Sequence, residues 1–443
     1  MPEPSGRTPA ATPALVRALG VWGLAASIVN ITVGGGIFRL PASVAGALGA
    51  WAPLAYLVCA VAMGLIVLCI AEAGSRVALT GGPYAYVEVA FGPFVGFLAG
   101  VLLWAVGTLA LAAVATILID ALAAFHPALE GALPRALLLV ATVAVLSAVN
   151  IRGVRQGATL NVVATVAKLL PLVLLLVVGA FAVEERNLLA GAAAPAAGEV
   201  ARTSALLIFA FAGVESALVP SGEVRDVART VPRAIFLAMA AVTLLYLGLH
   251  VTAQGVLGPA LAESRTPLAD AAAVALGPWG RTLLLAGAAV SMFGYVGGMI
   301  LAVPRALFAL GRDGFLPRGL AAVHPRFHTP HVAIAVQGVV VCALALTGAF
   351  ERLAILANLS TLLLYVGCCV ASWQLRRRGV QAGGTPFRVP AAGVVPFLAL
   401  AVIAFLLTSI QPLEWAVVAG VLAAGALLYA LAGPRARPAS VEG

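Results

Sequence analysis

The stretch VNITVGGGIF, residues 29–38, puts the consecutive glycines Gly34, Gly35 and Gly36 inside an otherwise apolar run. In a lipid bilayer, backbone that leaves a helix is tolerated only where it is buried in protein or lines a cavity. The freed amide and carbonyl groups can then bind a ligand. Taken alone, the triplet could also be a kink or a close helix contact, because glycine is common in membrane helices.

A second interruption lies in IFAFAGVESA, residues 208–217, where Gly213 and Glu215 fall in another apolar run. Breaks at corresponding points of two halves of a chain indicate a transporter site built from discontinuous helices. The N-terminus of a half-helix favours a carboxylate, and the C-terminus of a half-helix favours an ammonium group. The pair of breaks therefore favours a binding site over a kink, and it predicts a zwitterionic ligand.

The composition predicts an all-α membrane protein. The chain has 443 residues, of which 62% are hydrophobic and 10% are charged, and its mean hydropathy is +1.08. Soluble domains are about half apolar and about a quarter charged. Long continuous apolar runs also exclude a membrane barrel, whose strands are short and alternating. We predict twelve transmembrane helices, over approximately 18–40, 45–74, 86–120, 134–150, 160–183, 203–221, 234–256, 280–308, 332–349, 353–374, 394–410 and 412–432.

The arginines are unevenly divided between the loops that these spans create. With the N-terminus inside, eighteen arginines fall on the cytoplasmic side and seven on the outer side. This asymmetry follows the positive-inside rule and predicts a multi-pass protein of the cell (inner) membrane with both termini in the cytoplasm. The N-terminal segment has no short apolar core with a cleavage site, so we expect no cleaved signal peptide.

Five motifs, in order along the chain, carry a family resemblance: GGGIF (34–38), GGPYAYVEVAFGPFVGF (81–97), FAFAGVESALVPSGEV with VPRAI (209–235), RALFALGRDGFLP (305–317) and TPFRVP (385–390). Together they resemble the amino acid–polyamine–organocation (APC) permease superfamily. Gly35 stands where that family's first motif has serine. The resemblance implies transport of amino acids or related amines by alternating access. It also implies the LeuT-type 5+5 inverted repeat plus two helices.

The implied repeat predicts a division of the chain into five segments. These segments are a cytoplasmic N-terminal tail over 1–14, a first inverted repeat (helices one to five) over 15–183, a second (helices six to ten) over 200–378, helices eleven and twelve over 392–432, and a cytoplasmic tail over 433–443.

The resemblance also implies a substrate site at the two breaks. Amide groups near the glycine triplet would bind the substrate carboxylate, and carbonyls near Thr32 and Ala210 would bind its amine. Phe209 or Phe211 would act as a gate. The implied substrate-binding residues are Ile31, Thr32, Gly34, Gly35, Gly36, Ile37, Leu103, Phe209, Ala210, Phe211, Ala212, Gly213 and Met299.

Lys168 is the only lysine of the chain and lies well inside the fifth apolar run. An ion within a bilayer costs at least about 2.5–3.5 kcal/mol, so function is the default interpretation, with snorkelling to the interface as the alternative. In the resembled family, a lysine here takes the place of sodium and reaches carbonyls of the first broken helix. Ser291, or else Tyr295, would supply a hydroxyl partner. The resemblance therefore implies sodium independence, with proton symport or exchange.

Glu215, just after the second break, has two interpretations. Its carboxylate could be linked to protons or to a gate, or it could accept hydrogen bonds from the freed backbone amides. His250, in the seventh apolar run, is expected to be a packing histidine.

The substrate is expected to be a neutral amino acid, small or aliphatic. The arginine/agmatine antiporter of the resembled family has aromatic residues at positions that match Leu103, Phe209 and Met299 here, and only the phenylalanine is aromatic. Apart from Glu215, no acidic residue marks the pocket, and an unpaired buried charge is costly. A permease for cationic amino acids or polyamines is the alternative, and a nutrient sensor with a transporter fold is a lesser one.

Other functional classes fit the sequence less well. A membrane enzyme would cluster its histidines, acids or cysteines at one depth, whereas the five histidines are scattered. A channel would repeat rings or filter loops. We expect no enzyme activity, no metal or other cofactor and no nucleic-acid partner; the partners expected are an amino acid and the lipid bilayer.

Overall fold

The computed structural model describes residues 20–432 with short gaps. The residues outside the description are 78, 80–81, 124–126, 130, 153–156, 190–193, 219–223, 313–314, 328 and 382–383, and within helices also the side chains of 127, 157–167, 189 and 432. The two tails predicted over 1–14 and 433–443 therefore lie outside the described residues.

The described chain is helical and forms no β-strand. Its helices are α1 (Val21–Thr32), α2 (Gly36–Leu48), α3 (Ala52–Arg76), α4 (Pro83–Phe91), α5 (Pro93–Ala123), α6 (Ala132–Arg152), α7 (Gly157–Gly179), α8 (Glu185–Leu189), α9 (Ala197–Phe211), α10 (Val214–Ala217), α11 (Val227–Leu257), α12 (Pro267–Leu276), α13 (Pro278–Ala302), α14 (Pro304–Arg312), α15 (His331–Thr347), α16 (Phe350–Arg377), α17 (Val394–Leu407) and α18 (Pro412–Ala432). Short 3₁₀ turns join several of them.

Many of these helices have the length and apolarity of membrane spans. Within the described residues, eight helical segments are long and apolar enough to cross a bilayer, and five more apolar helices have 10–17 residues. The eight are Gly36–Arg76, Pro93–Ala123, Ala132–Arg152, Ala197–Ala217, Val227–Glu263, Pro278–Arg312, Phe350–Arg377 and Pro412–Leu431. The all-helical membrane architecture is thus confirmed, and the number twelve and the 5+5 repeat stay predictions.

The third apolar run forms two helices rather than one. Gly92, at φ +90°, separates α4 from α5, and Pro93 begins α5. A positive φ suits glycine, and the fixed φ of proline suits the first turn of a helix. The pair Gly92-Pro93 was the available sequence signal of this division, since glycine followed by proline commonly separates two elements.

The broken helices lie within a packed helical core. Helix α11 packs along α1 and α3, and α5 packs along α13 and α16. Buried side chains from these helices form one large apolar cluster that includes Leu24, Ile66 and Leu249. By contrast, Leu133 and Leu137 of α6 are exposed in the isolated protein, as expected for side chains that face lipid.

A buried carboxylate ties the end of α3 to α16 and to the strap 379–392 that follows it. Glu72 is fully buried, and its two oxygens lie 2.8 Å from the guanidinium groups of Arg76 and Arg376. The amide of Val389 also donates to it at 3.3 Å. Because buried charges need partners, this network fixes the strap against two helices.

Candidate functional site

The glycine triplet is the point at which the first broken helix is interrupted. Helix α1 ends at Thr32 and α2 begins at Gly36, so three residues between them leave the helical hydrogen-bond pattern. A Cβ at Gly36 would lie 3.0 Å from the Cα of Ala210, and one at Gly35 would lie 3.1 Å from a methyl of Ile117. The close approach of the two breaks therefore requires glycine at position 36.

The second break faces the first. Helix α9 ends at Phe211 and α10 begins at Val214. Between them Gly213 has φ +137°, and its added Cβ would lie 3.0–3.1 Å from atoms of Thr32. Positive φ and lack of space both favour glycine here.

A small cavity of about 30 Å³ lies between the two breaks. A volume of this kind holds a few water molecules. The predicted site residues that line it are Ile31, Thr32, Gly34, Gly35, Gly36, Phe209, Ala212, Gly213, Met299, Glu215 and Tyr295. The structure thus brings both breaks, α9 and α13 to one place.

The remaining predicted residues do not line the cavity. They are Ile37, Ala210, Phe211, Leu103, Lys168 and Ser291. Leu103 packs on the core instead. The residues of α5 that reach the cavity lie further along the helix and are Val106, Gly107, Ala110 and Val114. Phe211 is fully buried against Tyr246, with ring centroids 5.2 Å apart. Of the two phenylalanines, only Phe209 borders the cavity.

Helix α16 contributes a cavity wall that the sequence analysis did not include. Ala357, Asn358 and Thr361 line the cavity from this side. The amide of Asn358 donates to Ala205 and Leu206 carbonyls of α9 at 2.8 and 3.1 Å. The cluster of polar residues in NLST, within an apolar helix, was the available signal.

Tyr246 joins the two breaks and was also missed. Its hydroxyl lies 2.9 Å from the carbonyl oxygen of Thr32 and 3.0 Å from that of Ala210, and the residue is fully buried. A phenol has one proton to donate, so the two carbonyls share it. Tyr246 therefore bridges the C-terminal ends of α1 and α9.

Lys168 reaches the first broken helix. Its Nζ donates to the carbonyl oxygen of Asn30 at 2.5 Å, and the side chain is 3% exposed. Asn30 lies in the last turn of α1, where the helix dipole is negative. The hydrogen bond expected between Lys168 and Ser291 is not formed: the Ser291 hydroxyl is buried and has no partner among the described residues.

Glu215 accepts hydrogen bonds at the second break. Its Oε2 lies 2.9 Å from the amide of Gly213 and 2.7 Å from the hydroxyl of Tyr365, on α16. The carboxylate thus satisfies a backbone amide freed by the break, while the residue also borders the cavity. Tyr365 was not anticipated from the sequence.

Apolar helices of membrane length that enclose a cavity between two broken helices define a multi-pass membrane transporter. Residues 19–431 match the amino acid permease family. The chain therefore belongs to this family, within the APC superfamily, as the motifs predicted. Its relatives are transporters and not enzymes, and the transported species are small molecules.

Three relatives span most of both chains. An uncharacterized transporter of Mycobacterium tuberculosis is 34% identical over 390 residues, which are 87% of this chain and 86% of the relative. The methylthioribose transporter of Bacillus subtilis is 28% identical and covers 94% and 93%, respectively. The serine/threonine exchanger SteT of the same organism is 27% identical and covers 86% and 88%.

Proposed function

We propose that the protein is a sodium-independent secondary transporter of neutral amino acids, small or aliphatic, that works by alternating access. The observation that carries the proposal is the contact between the Lys168 ammonium and the carbonyl of Asn30. A fixed cation at the end of α1 occupies carbonyl ligands that a mobile sodium ion would otherwise need. Transport then runs as proton symport or as exchange.

The two breaks would hold the two charged ends of the substrate. The amides near Gly34, Gly35 and Gly36 are proposed to hold its carboxylate. The Gly34 amide already donates to the Thr32 carbonyl at 2.7 Å, so the Gly35 and Gly36 amides, at the start of α2, suit this role best. The carbonyl ends of α1 and α9, near Thr32 and Ala210, suit its ammonium group. Phe209 borders the cavity and packs edge-on against Phe350 at 5.4 Å, a position from which it can cover a bound substrate.

The cavity wall supports a neutral side chain. Val106, Ala110, Val114 and Met299 are apolar, and the one carboxylate that borders the cavity, Glu215, already accepts two hydrogen bonds. A desolvated cationic side chain would have only this carboxylate, already held by two hydrogen bonds, as a counter-charge. The relative named as a serine/threonine exchanger supports small neutral substrates.

Methylthioribose is a second candidate class of substrate because a relative with that printed function covers nearly the whole chain. It has neither an ammonium nor a carboxylate group, so it would not use the two breaks as a zwitterion does. Cationic amino acids or polyamines, and a sensor role, remain the less supported alternatives.

The topology proposed for this function has twelve spans with a 5+5 inverted repeat over 15–183 and 200–378. Both termini are placed in the cytoplasm and the protein in the inner membrane. The arginine asymmetry supports this orientation. The residues proposed to act in coupling are Lys168, Glu215, Ser291 and Tyr295.

Uptake into proteoliposomes tests the proposal. Radiolabelled L-serine and L-leucine should enter, and replacement of sodium by choline should leave their uptake unchanged. Excess neutral amino acids should compete, while arginine and putrescine should not. A strict sodium requirement, or uptake of arginine without neutral competition, would defeat the proposal. Competition by methylthioribose alone would select the second candidate.

A further inference from the structure

Three buried polar side chains form a column along α11. Tyr246, His250 and Gln254 lie four residues apart and are 0%, 0% and 4% exposed. Residues at this spacing share one helix face, with a rise of about 6 Å per step. The column begins at the two breaks, where Tyr246 donates, and ends where the Gln254 amide donates to the carbonyl of Gly49 at 3.1 Å.

The hydrogen bond to Gly49 fixes the tautomer of His250. A carbonyl can only accept, so the nitrogen of the Gln254 amide faces Gly49 and its oxygen faces His250. That oxygen lies 2.9 Å from Nε2 of His250, so Nε2 carries a proton. In the neutral imidazole, Nδ1 is therefore the bare acceptor.

The Tyr56 hydroxyl, which can accept a hydrogen bond, lies close to the His250 ring and has no partner among the described residues. Neither Nδ1 nor the hydroxyl of Tyr56, on α3, has a hydrogen-bond partner among the described residues, and both atoms are buried. The two rings pack with centroids 4.7 Å apart and a tilt of 40°. A phenol oxygen can accept as well as donate. An imidazolium at this place would keep the Gln254 oxygen as the acceptor for Nε2–H. Its Nδ1–H would use the Tyr56 oxygen through a bridging water, because those two atoms are not in direct hydrogen-bond contact.

The charged and titratable groups on the helices that pack against α11 are engaged elsewhere. Lys168 on α7 is directed to Asn30, and Asp270 on α12 is paired with Arg281 at 3.2 Å. Arg39 on α2 pairs with Glu351, Glu184 before α8 pairs with Arg186, and Glu263 is exposed. The titratable residues of α3 nearest to His250 are Tyr56 and, one turn further, Cys59.

We propose that His250 is a proton-binding site whose occupancy alternates with that of the substrate. This inference rests on the proposed function. The substrate ammonium would lie at the carbonyl ends bridged by Tyr246, roughly 10 Å from the imidazole once the length of the Tyr246 side chain is added to one helical turn. Two positive charges at that separation repel each other in a protein interior. When the substrate binds, the Nδ1–H bond breaks and the proton is released to water; when the substrate leaves, Nδ1 takes a proton back from water.

The linkage makes substrate affinity fall as the pH falls. Because binding at one site weakens the other reciprocally, protonation of His250 should lower the affinity by on the order of tenfold, as for unit charges roughly 10 Å apart at an effective dielectric constant of 20. L-serine and L-leucine are the probes, titrated against purified full-length protein between about pH 5 and pH 8. Proton release on ligand addition is followed in weak buffer with a pH-sensitive dye.

Three variants distinguish protonation of His250 from other effects of low pH on the protein. In His250→Gln the affinity should change less than about twofold over this range, with the dye signal abolished. Tyr56→Phe removes the acceptor for Nδ1–H, so the half-maximal effect should move to more acidic pH. His331→Gln, a histidine outside the column, should retain the wild-type response. Binding in the wild type that is independent of pH, or an unchanged response in His250→Gln, would overturn the proposal alone. If neither probe bound at any pH, the proposed function would fail, and this inference with it.

Discussion

The hydroxyl of Tyr246 lies 2.9 Å from the carbonyl oxygen of Thr32, and so it holds the last turn of α1 from a different helix. The same hydroxyl reaches Ala210 at 3.0 Å. The two carbonyl ends that we assign to the substrate ammonium are therefore kept side by side. Their geometry depends on α11, which contributes no residue to the cavity wall.

Removal of this hydroxyl should loosen the site. In Tyr246→Phe both carbonyls lose their shared donor, at a cost of about 0.5–1.5 kcal/mol for one hydrogen bond. We expect a two- to tenfold lower affinity for L-serine, as about 1.4 kcal/mol is a factor of ten. Binding titrations in detergent measure it. Tyr429→Phe, in the aromatic cluster near Phe94, is the control and should bind as the wild type does. Equal affinities of all three proteins would contradict the bridging role.

The approach of the two breaks predicts a steep response to one methyl group. In Gly36→Ala the added Cβ would stand 3.0 Å from the Cα of Ala210, which is backbone and cannot move aside cheaply. We expect uptake to fall at least tenfold while the protein still inserts into the membrane. Gly64→Ala is the matched control, since nothing lies within 4 Å of its Cβ position on α3. Initial uptake rates in proteoliposomes test this prediction. Full activity of Gly36→Ala would show that the two breaks can move apart without a loss of transport.

A neutral side chain at Lys168 should impair transport without unfolding the protein. Lys168→Met keeps the apolar stem and removes the ammonium that donates to Asn30. We expect uptake to fall by tenfold or more at unchanged expression. Lys168→Arg should not restore it, because a planar guanidinium differs in shape from a compact ammonium group. Uptake by Lys168→Met that becomes sodium-dependent would support the cation-substitute interpretation, and unaltered sodium-independent uptake would contradict it.

The buried Glu72 network should carry stability rather than transport chemistry. Glu72→Gln leaves Arg76 and Arg376 with an uncharged partner in a buried place, and the loss of one partner of a buried pair costs about 3–5 kcal/mol. The melting temperature in detergent should fall by several degrees. Glu184→Gln breaks an exposed pair with Arg186, so its melting temperature should stay near that of the wild type. Equal melting temperatures for the two variants would contradict a stabilising role of the Glu72 network.

The sequence predicted the features that conflict with a membrane environment. Glycines in an apolar run and a single buried lysine stand out against a lipid background, so the two breaks and Lys168 were found without the structure. Tyr246 was not found, because a tyrosine in an apolar helix carries no such conflict. The polar residues Asn358 and Thr361 of α16 do stand out in the sequence, but the sequence does not show that they face the same cavity as the breaks. Their importance comes from which helices touch, and that depends on tertiary packing.

The expected partner of Lys168 shows the same limit. A motif can place Ser291 at the right depth of α13, but a rotation of the helix decides where its hydroxyl points. In the structure, that hydroxyl has no partner among the described residues, while Lys168 is satisfied by the backbone of α1.

The contact between Gly36 and Ala210 has a consequence for how the chain is made. Gly36, where α2 begins after the break, packs against Ala210 of α9, and the ribosome synthesises α9 much later. Until that segment enters the bilayer, the exposed amides of the first break have no wall to shelter them from lipid. We therefore expect the newly made first half either to form a continuous helix here or to keep the break near water beside the translocon. The break then becomes permanent only when the second half has been inserted.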